Sequence, residues 1–270
     1  MHSHDSPQTP VLDGWLAFEG LVAVLLVAAA AGYAWALWAG RRRSGRPLLR
    51  TVMFYAGLAC VGVSLIGPLA QAAHGSFTAH MAGHLLLGMM APLLLVLSAP
   101  VSVLLRGLSV RRARAVSRVL RSPYVRVITH PVVAALLNAG GLWVLYTTPL
   151  FHAMHASVWW HALVHTHIFL AGYVFTASMV GVDPDPHRAP FTLRAGVLIA
   201  FIAAHSILAK WLYAHPPMGV ETADAQLGAQ LMYYGGDAVD VLLIVLLFAG
   251  WYRATKPRAT SLAGMRTARS

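Results

Sequence analysis

The stretch from Thr78 to Ser98 reads TAHMAGHLLLGMMAPLLLVLS, 21 residues without an Asp, Glu, Lys or Arg. An α-helix needs about 20 mostly apolar residues to cross the hydrocarbon core of a bilayer. The same stretch carries two histidines four residues apart, and polar side chains inside a bilayer are costly enough to be read as functional. One segment therefore announces both a membrane-spanning helix and a chemistry of imidazoles.

Six further apolar segments flank it, at 13–39, 50–70, 130–147, 157–180, 190–213 and 226–252. Together they predict an all-α polytopic bundle of seven transmembrane helices over 13–252. Flexible tails are expected at 1–12 and, basic and cytoplasmic, at 253–270. Pro92 interrupts the third segment, and Pro100 blurs its far end. Composition agrees: 58% of residues are hydrophobic, 11% are charged and mean hydropathy is +0.63. Soluble domains carry about 25% charged residues. The single cysteine, Cys60, excludes a disulfide framework, a CxxC redox site and a thiolate metal chaperone. The first twelve residues carry no Lys or Arg, so no removable signal peptide is expected before the first span.

A net charge of +11 invites a nucleic-acid reading, but the basic residues sit in short runs between apolar segments. Arg41 to Arg50, Arg106 to Arg126, Arg188 with Arg194, and Arg253 to Arg269 follow alternate spans. Nineteen of the twenty basic residues thereby fall on one side, Lys210 excepted. The positive-inside rule makes that side cytoplasmic, with the N-terminus outside and the C-terminus inside. No nucleic-acid partner is needed to explain the charge. Arg111, Arg112, Arg114 and Arg118 among valines and leucines could form an amphipathic helix on the membrane surface, although orientation charge alone accounts for them. Trp15, Tyr146, Trp159, Trp160, Tyr213, Tyr233 and Tyr234 fit an outer aromatic belt.

Of the fourteen histidines, only His130 and His187 fall at the cytoplasmic side. His80/His84 and His161/His165 are each i, i+4 pairs, and residues so spaced share a helix face. Both pairs read SxxxHxxxH, from Ser76 and Ser157, where the serines suit helix N-caps. His205 on the sixth helix reaches a similar depth of about 12 Å from the outer end. Asp237 and Asp240, i and i+3 on the seventh helix, lie near the midplane, where a carboxylate can ligate a metal or orient a histidine. Histidines with nearby Met81, Met154, Met218 and Met232, and no thiolate, lean towards copper, Cu(I) above all. His167 points off the His161/His165 face and reads as structural. His2, His4, His74, His152 and His155 read as solvated residues of loops and tail.

The block from His80 to Val101, HMAGHLLLGMMAPLLLVLSAPV, resembles the signature of CtaG-type cytochrome c oxidase assembly factors, the kind linked to caa-type oxidases. The resemblance continues through Thr148-Pro149-Leu150, the His161-xxx-His165 helix ending in Gly181-Val-Asp183-Pro184, and Asp224-Ala-Gln226-Leu-Gly, covering about residues 50–250. The chain departs from the family at Phe151-His152 and at Tyr233-Tyr234, where a Trp is common. The resemblance implies a multi-pass protein of the bacterial cytoplasmic membrane, an assembly factor rather than an enzyme. Its implied task is to mature a haem–copper oxidase, with copper as cargo and an oxidase subunit and an extracytoplasmic copper donor as partners. His80, His84, His161 and His165 stand at the family's histidine positions; His205 and Asp237 are added from depth and facing. Three other readings share the residues: an intramembrane zinc hydrolase, a b-type cytochrome with haem between the third and fifth helices, and a metal-free scaffold.

Overall fold

Between Phe77 and Gly107 the third apolar segment folds as one bent rod, and its bends follow from its prolines. The computed structural model describes residues 11–41 and 48–256, with side chains from Gly14 onwards. Helix α4 (Phe77–Leu85) runs into a π turn (Leu86–Met90), then α5 (Ala91–Ser98) and α6 (Pro100–Gly107). Pro92 has no N–H to give, so the regular i to i−4 ladder cannot pass through it, and the wide turn takes up the fault. Ala99, completely buried, joins α5 to α6 in the left-handed conformation at φ 52°. Pro100 keeps Ala99 out of the right-handed helical region, so α5 ends there.

The other elements are all helical. In chain order they are α1 (Val11–Gly40), α2 (Leu48–Leu65), α3 (Pro68–Ala72), α7 (Val110–Leu120), α8 (Pro123–Ile128), α9 (Pro131–Thr147), α10 (Leu150–Ala156), α11 (Val158–Val180), α12 (Phe191–Ala214) and α13 (Thr222–Thr255). Among the described residues, six helices are long and apolar enough to cross a membrane: α1, α2 with α3, the α4–α6 rod, α11, α12 and α13. The expected span at 130–147 is α9, whose 17 residues reach about 25 Å, less than a hydrocarbon core of about 30 Å. It forms a candidate seventh crossing only with α10, which turns away from it by 80°.

The α4–α6 rod is the axis of the bundle; Met81, Leu87 and Ala91 are completely or almost completely buried. Around Phe77, Met81, Tyr146, Met154, Leu208, Leu212 and Met232 lies one core cluster, and around Phe175, Met179, Leu198, Phe201 and Leu243 another. Leu21, Leu25, Ile199, Leu227 and Val241 face outwards instead, as helices solvated by lipid do. Small residues let backbones meet: a Cβ on Gly172 of α11 would strike the Gly88 carbonyl oxygen in the π turn.

Arginines of α2, of α6 and of the connection between α11 and α12 gather at the far end of the rod. Arg50, Arg106 and Arg188 line one cleft of about 400 Å³, and Gly40 packs on Arg106. Helix α7 does form where the arginine pattern pointed, with no buried residue. Arg42, Arg43, Arg46, the 1–10 part of the N-terminal tail with His2 and His4, and the tail from residue 257 lie outside the described residues.

Tyr146 corrects the aromatic belt. It is 5% exposed and points into the core, whereas Trp159 and Tyr234 are 85% and 70% exposed and fit a rim. Lys210, exposed, carries its Nζ over the Tyr233 ring at 5.1 Å.

Candidate functional site

The end of the bundle opposite the arginines carries the histidines. The first turn of α4 is set by two acceptors. Ser76 accepts from Ala79 N–H at 3.3 Å, as an N-cap serine does. Asp224, in the first turn of α13, accepts from Phe77 N–H at 2.6 Å, from Thr78 N–H at 3.1 Å and from the Ser76 hydroxyl at 3.1 Å. A carboxylate on free N–H groups at a helix start is a favourable charge–dipole pairing, and here it ties α13 to α4. Asp183 does the same at the other end of the rod, accepting from Val101 and Ser102 N–H at 3.1 and 2.7 Å. The resemblance had pointed to both aspartates without giving them a task. Ser157 occupies the N-cap of α11 but makes no side-chain cap bond.

From that anchored start, α4 sends its histidine pair in two directions. His80 faces His165 of α11 (ring centres 6.3 Å apart) and His155 of α10 (5.6 Å). His161 stacks on His165 at 4.0 Å and faces His74 at 5.7 Å, and His74 lies 6.2 Å from His155. Five imidazoles thus share one end of the bundle, roofed by Trp15 and Phe18 of α1, which pack edge-on against His161. His74 is exposed in the connection from α3 to α4, as expected of a loop residue, whereas His155 is half-buried in α10; the 80° turn of α10 brings the two together. His152, beside them in sequence, is exposed, as expected.

Local hydrogen bonds fix the tautomers of two of these rings. His155 Nδ1–H donates to the Phe151 carbonyl at 2.8 Å, and His165 Nδ1–H to the His161 carbonyl at 2.9 Å. A carbonyl only accepts, so each ring keeps its Nε2 lone pair for a ligand. Metal-ligating histidines commonly hold their second nitrogen in this way. His80 Nε2 is 3.0 Å from the Tyr146 hydroxyl, which in turn lies 3.8 Å from Met81 Sδ. When His80 donates to Tyr146 and Tyr146 to Met81, His80 Nδ1 keeps its lone pair. Desolvation, and behind it His155, holds His74 below the ordinary histidine value against the opposing pull of Glu19. A neutral imidazole is the form that ligates a metal.

His84 belongs elsewhere. It faces His205 of α12, ring centres 6.4 Å apart, in the interior of the bundle. Asp240 of α13 is also buried, 2% exposed, while Asp237 is only half-buried. His167 donates Nε2–H to the Leu137 carbonyl at 3.0 Å, fastening α11 to α9, which is the structural role its facing implied. Met81, Met154 and Met232 are completely buried core residues and Met218 is exposed. Among the described residues, no three His, Cys, Asp or Glu side chains converge closely enough to hold one metal ion. The six predicted positions are therefore not one site: His80, His161 and His165 meet near the end, His84 and His205 meet deeper, and Asp237 joins neither group.

The chain is 29% identical over 261 residues to uncharacterized protein ML1998 of Mycobacterium leprae (strain TN), a match covering 87% of this chain and 39% of that protein. It is 30% identical over 278 residues to uncharacterized protein Mb0105 of Mycobacterium bovis, covering 93% of this chain and 42% of that protein. The chain thus spans about two fifths of the length of the curated relatives it matches. No solved structure matches it. Residues 31–254, which contain the bent rod, both aspartate anchors and all five clustered histidines, match the family model described as cytochrome c oxidase caa3 assembly factor, and the chain belongs to that family.

Proposed function

We propose that this chain matures a haem–copper cytochrome c oxidase by taking Cu(I) on its outer histidine cluster and passing it to an oxidase subunit. The observation that supports this most is the group of five imidazoles at one bundle end, two of them with Nε2 held free by bonds from Nδ1 to a backbone carbonyl. Two imidazoles that share an ion through one nitrogen each stand roughly 5–6 Å apart between ring centres, given metal–nitrogen bonds of about 2 Å. His80 with His155 and His74 with His161 are spaced at 5.6 and 5.7 Å. Low-coordinate imidazole ligation suits an ion that must be handed on, and imidazole without thiolate suits copper. The gathering of arginines opposite the cluster supports an outward-facing site in a cytoplasmic membrane by the positive-inside rule, with α9 and α10 together read as one crossing.

The test is elemental analysis of the protein purified in detergent, with oxidase copper content measured in cells. Wild type is expected to retain copper, and the His80→Ala, His161→Ala double variant to lose it and to leave the oxidase copper-poor while inserting normally. Unchanged copper and a normal oxidase in that variant would overturn the assignment. Bound zinc would instead favour a hydrolase, and a Soret band a cytochrome.

A further inference from the structure

Six polar atoms deep in the bundle have no hydrogen-bond partner among the described residues: both ring nitrogens of His84 and of His205, and both carboxylate oxygens of Asp240. The three side chains are 5%, 1% and 2% exposed, so bulk water does not serve them. Each buried polar group left unmet costs about 1–3 kcal/mol, so six of them ask for partners.

The packing is shaped around the His205 ring. A Cβ on Gly236 of α13 would come within 2.5 Å of His205 Cε1, so only glycine lets the imidazole lie against that face. Asp240 is one turn further along the same face, about 6 Å on. Helical side chains lean towards the N-terminus, which brings the carboxylate back towards His205. His84 meets His205 from the other side with ring centres 6.4 Å apart, close to the roughly 6 Å expected when two imidazoles hold one ion from opposite sides. His84 is four residues beyond His80, about 6 Å deeper than the outer cluster.

We propose that His84 and His205 form a second, inner station for a monovalent copper ion, with the Asp240 carboxylate as its counter-charge rather than a third ligand. Two neutral imidazoles contribute one lone pair each and keep their other N–H. One copper(I) and one carboxylate sum to zero, whereas a divalent ion leaves a net charge in the bilayer, where charge is expensive. The choice of copper rests on the function proposed above; the ligands do not. An ion caught by the outer cluster would pass inwards from His80 to His84 along one face of α4.

The experiment is anaerobic Cu(I) titration of the full chain in detergent against a colorimetric chelator, with X-ray absorption at the copper edge. Wild type is expected to bind two Cu(I) per chain. His205→Gln should remove one of them, and His161→Gln should weaken the other while leaving the inner ion with two nitrogen neighbours. Asp240→Asn, nearly isosteric, guards against a misfolded His205 variant and should lower affinity at one site only, by 10-fold or more. Excess Zn²⁺ should not fill the inner site. If His205→Gln and Asp240→Asn both bind as wild type does, the inner station falls and the outer cluster stands. One ion lost in His205→Gln but untouched in His161→Gln would sustain the inner station and overturn the outer cluster. No Cu(I) bound by wild type would overturn both.

Discussion

At the scale of single residues, the two aspartates that cap remote helices account for much of the site's precision. Asp224 holds the start of α4 with three accepted bonds, so it fixes the height and rotation of His80 and His84 without touching either. Asp224→Ala should destabilise the protein by about 2 kcal/mol, at the upper end of capping effects, because several donors at a helix start lose their acceptor together. Thermal unfolding in detergent measures this, and Asp224→Asn should recover part of the loss by keeping one oxygen. A midpoint unchanged in Asp224→Ala would show that Ser76 caps α4 unaided. Asp237 and Asp240 illustrate what spacing cannot rank. Both carboxylates lie on one side of α13, yet only Asp240 is buried, since Gly236, one turn before it, is where His205 packs.

At the scale of elements, the bent rod decides how closely α11 approaches α4. Pro92 makes the π turn, the π turn presents the Gly88 carbonyl, and Gly172 receives it. His165 sits two turns before Gly172 on α11, so any separation there widens the outer histidine cluster as well. Gly172→Ala should cost about 1–3 kcal/mol through overpacking against backbone that cannot rotate away. Its thermal midpoint should fall and, on the proposed function, its copper content with it. Full stability in Gly172→Ala would mean that the rod and α11 have room to part. The amphipathic pattern of α7, the serine cap of α4 and the structural facing of His167 were legible beforehand, because each depends on a few neighbouring residues. The turn between α9 and α10 was not legible. Thr148-Pro149 marks a break in any chain, but its angle is chosen by Phe151 and Met154 packing into the core beside Phe77 and Tyr146.

At the scale of the whole molecule, charge and lipid impose the arrangement together. Arginines from three separate parts of the chain share one cleft, and His80 with its neighbours occupies the other end of the same rod. With Cys60 replaced by Ser, a cysteine at the exposed Met218 should react with a membrane-impermeant maleimide in intact cells. A cysteine at the exposed Arg118 should react only after lysis. The opposite pattern would invert the molecule and put the histidine cluster on the cytoplasmic side.

The sequence by itself determined the membrane character, the helical class, the positions of the apolar segments and the supply of histidines. These follow from composition and from periods of one helix turn, which need no knowledge of neighbours. It also paired His80 with His84 and His161 with His165, since four residues always bring two side chains to one helix face. Tertiary structure decided which imidazoles meet. A helix face about 10 Å across touches several neighbours, so a shared face does not mean a shared ligand. The crossing of α4 with α11, α10 and α12 therefore sends His80 to the cluster at the bundle end and His84 to His205.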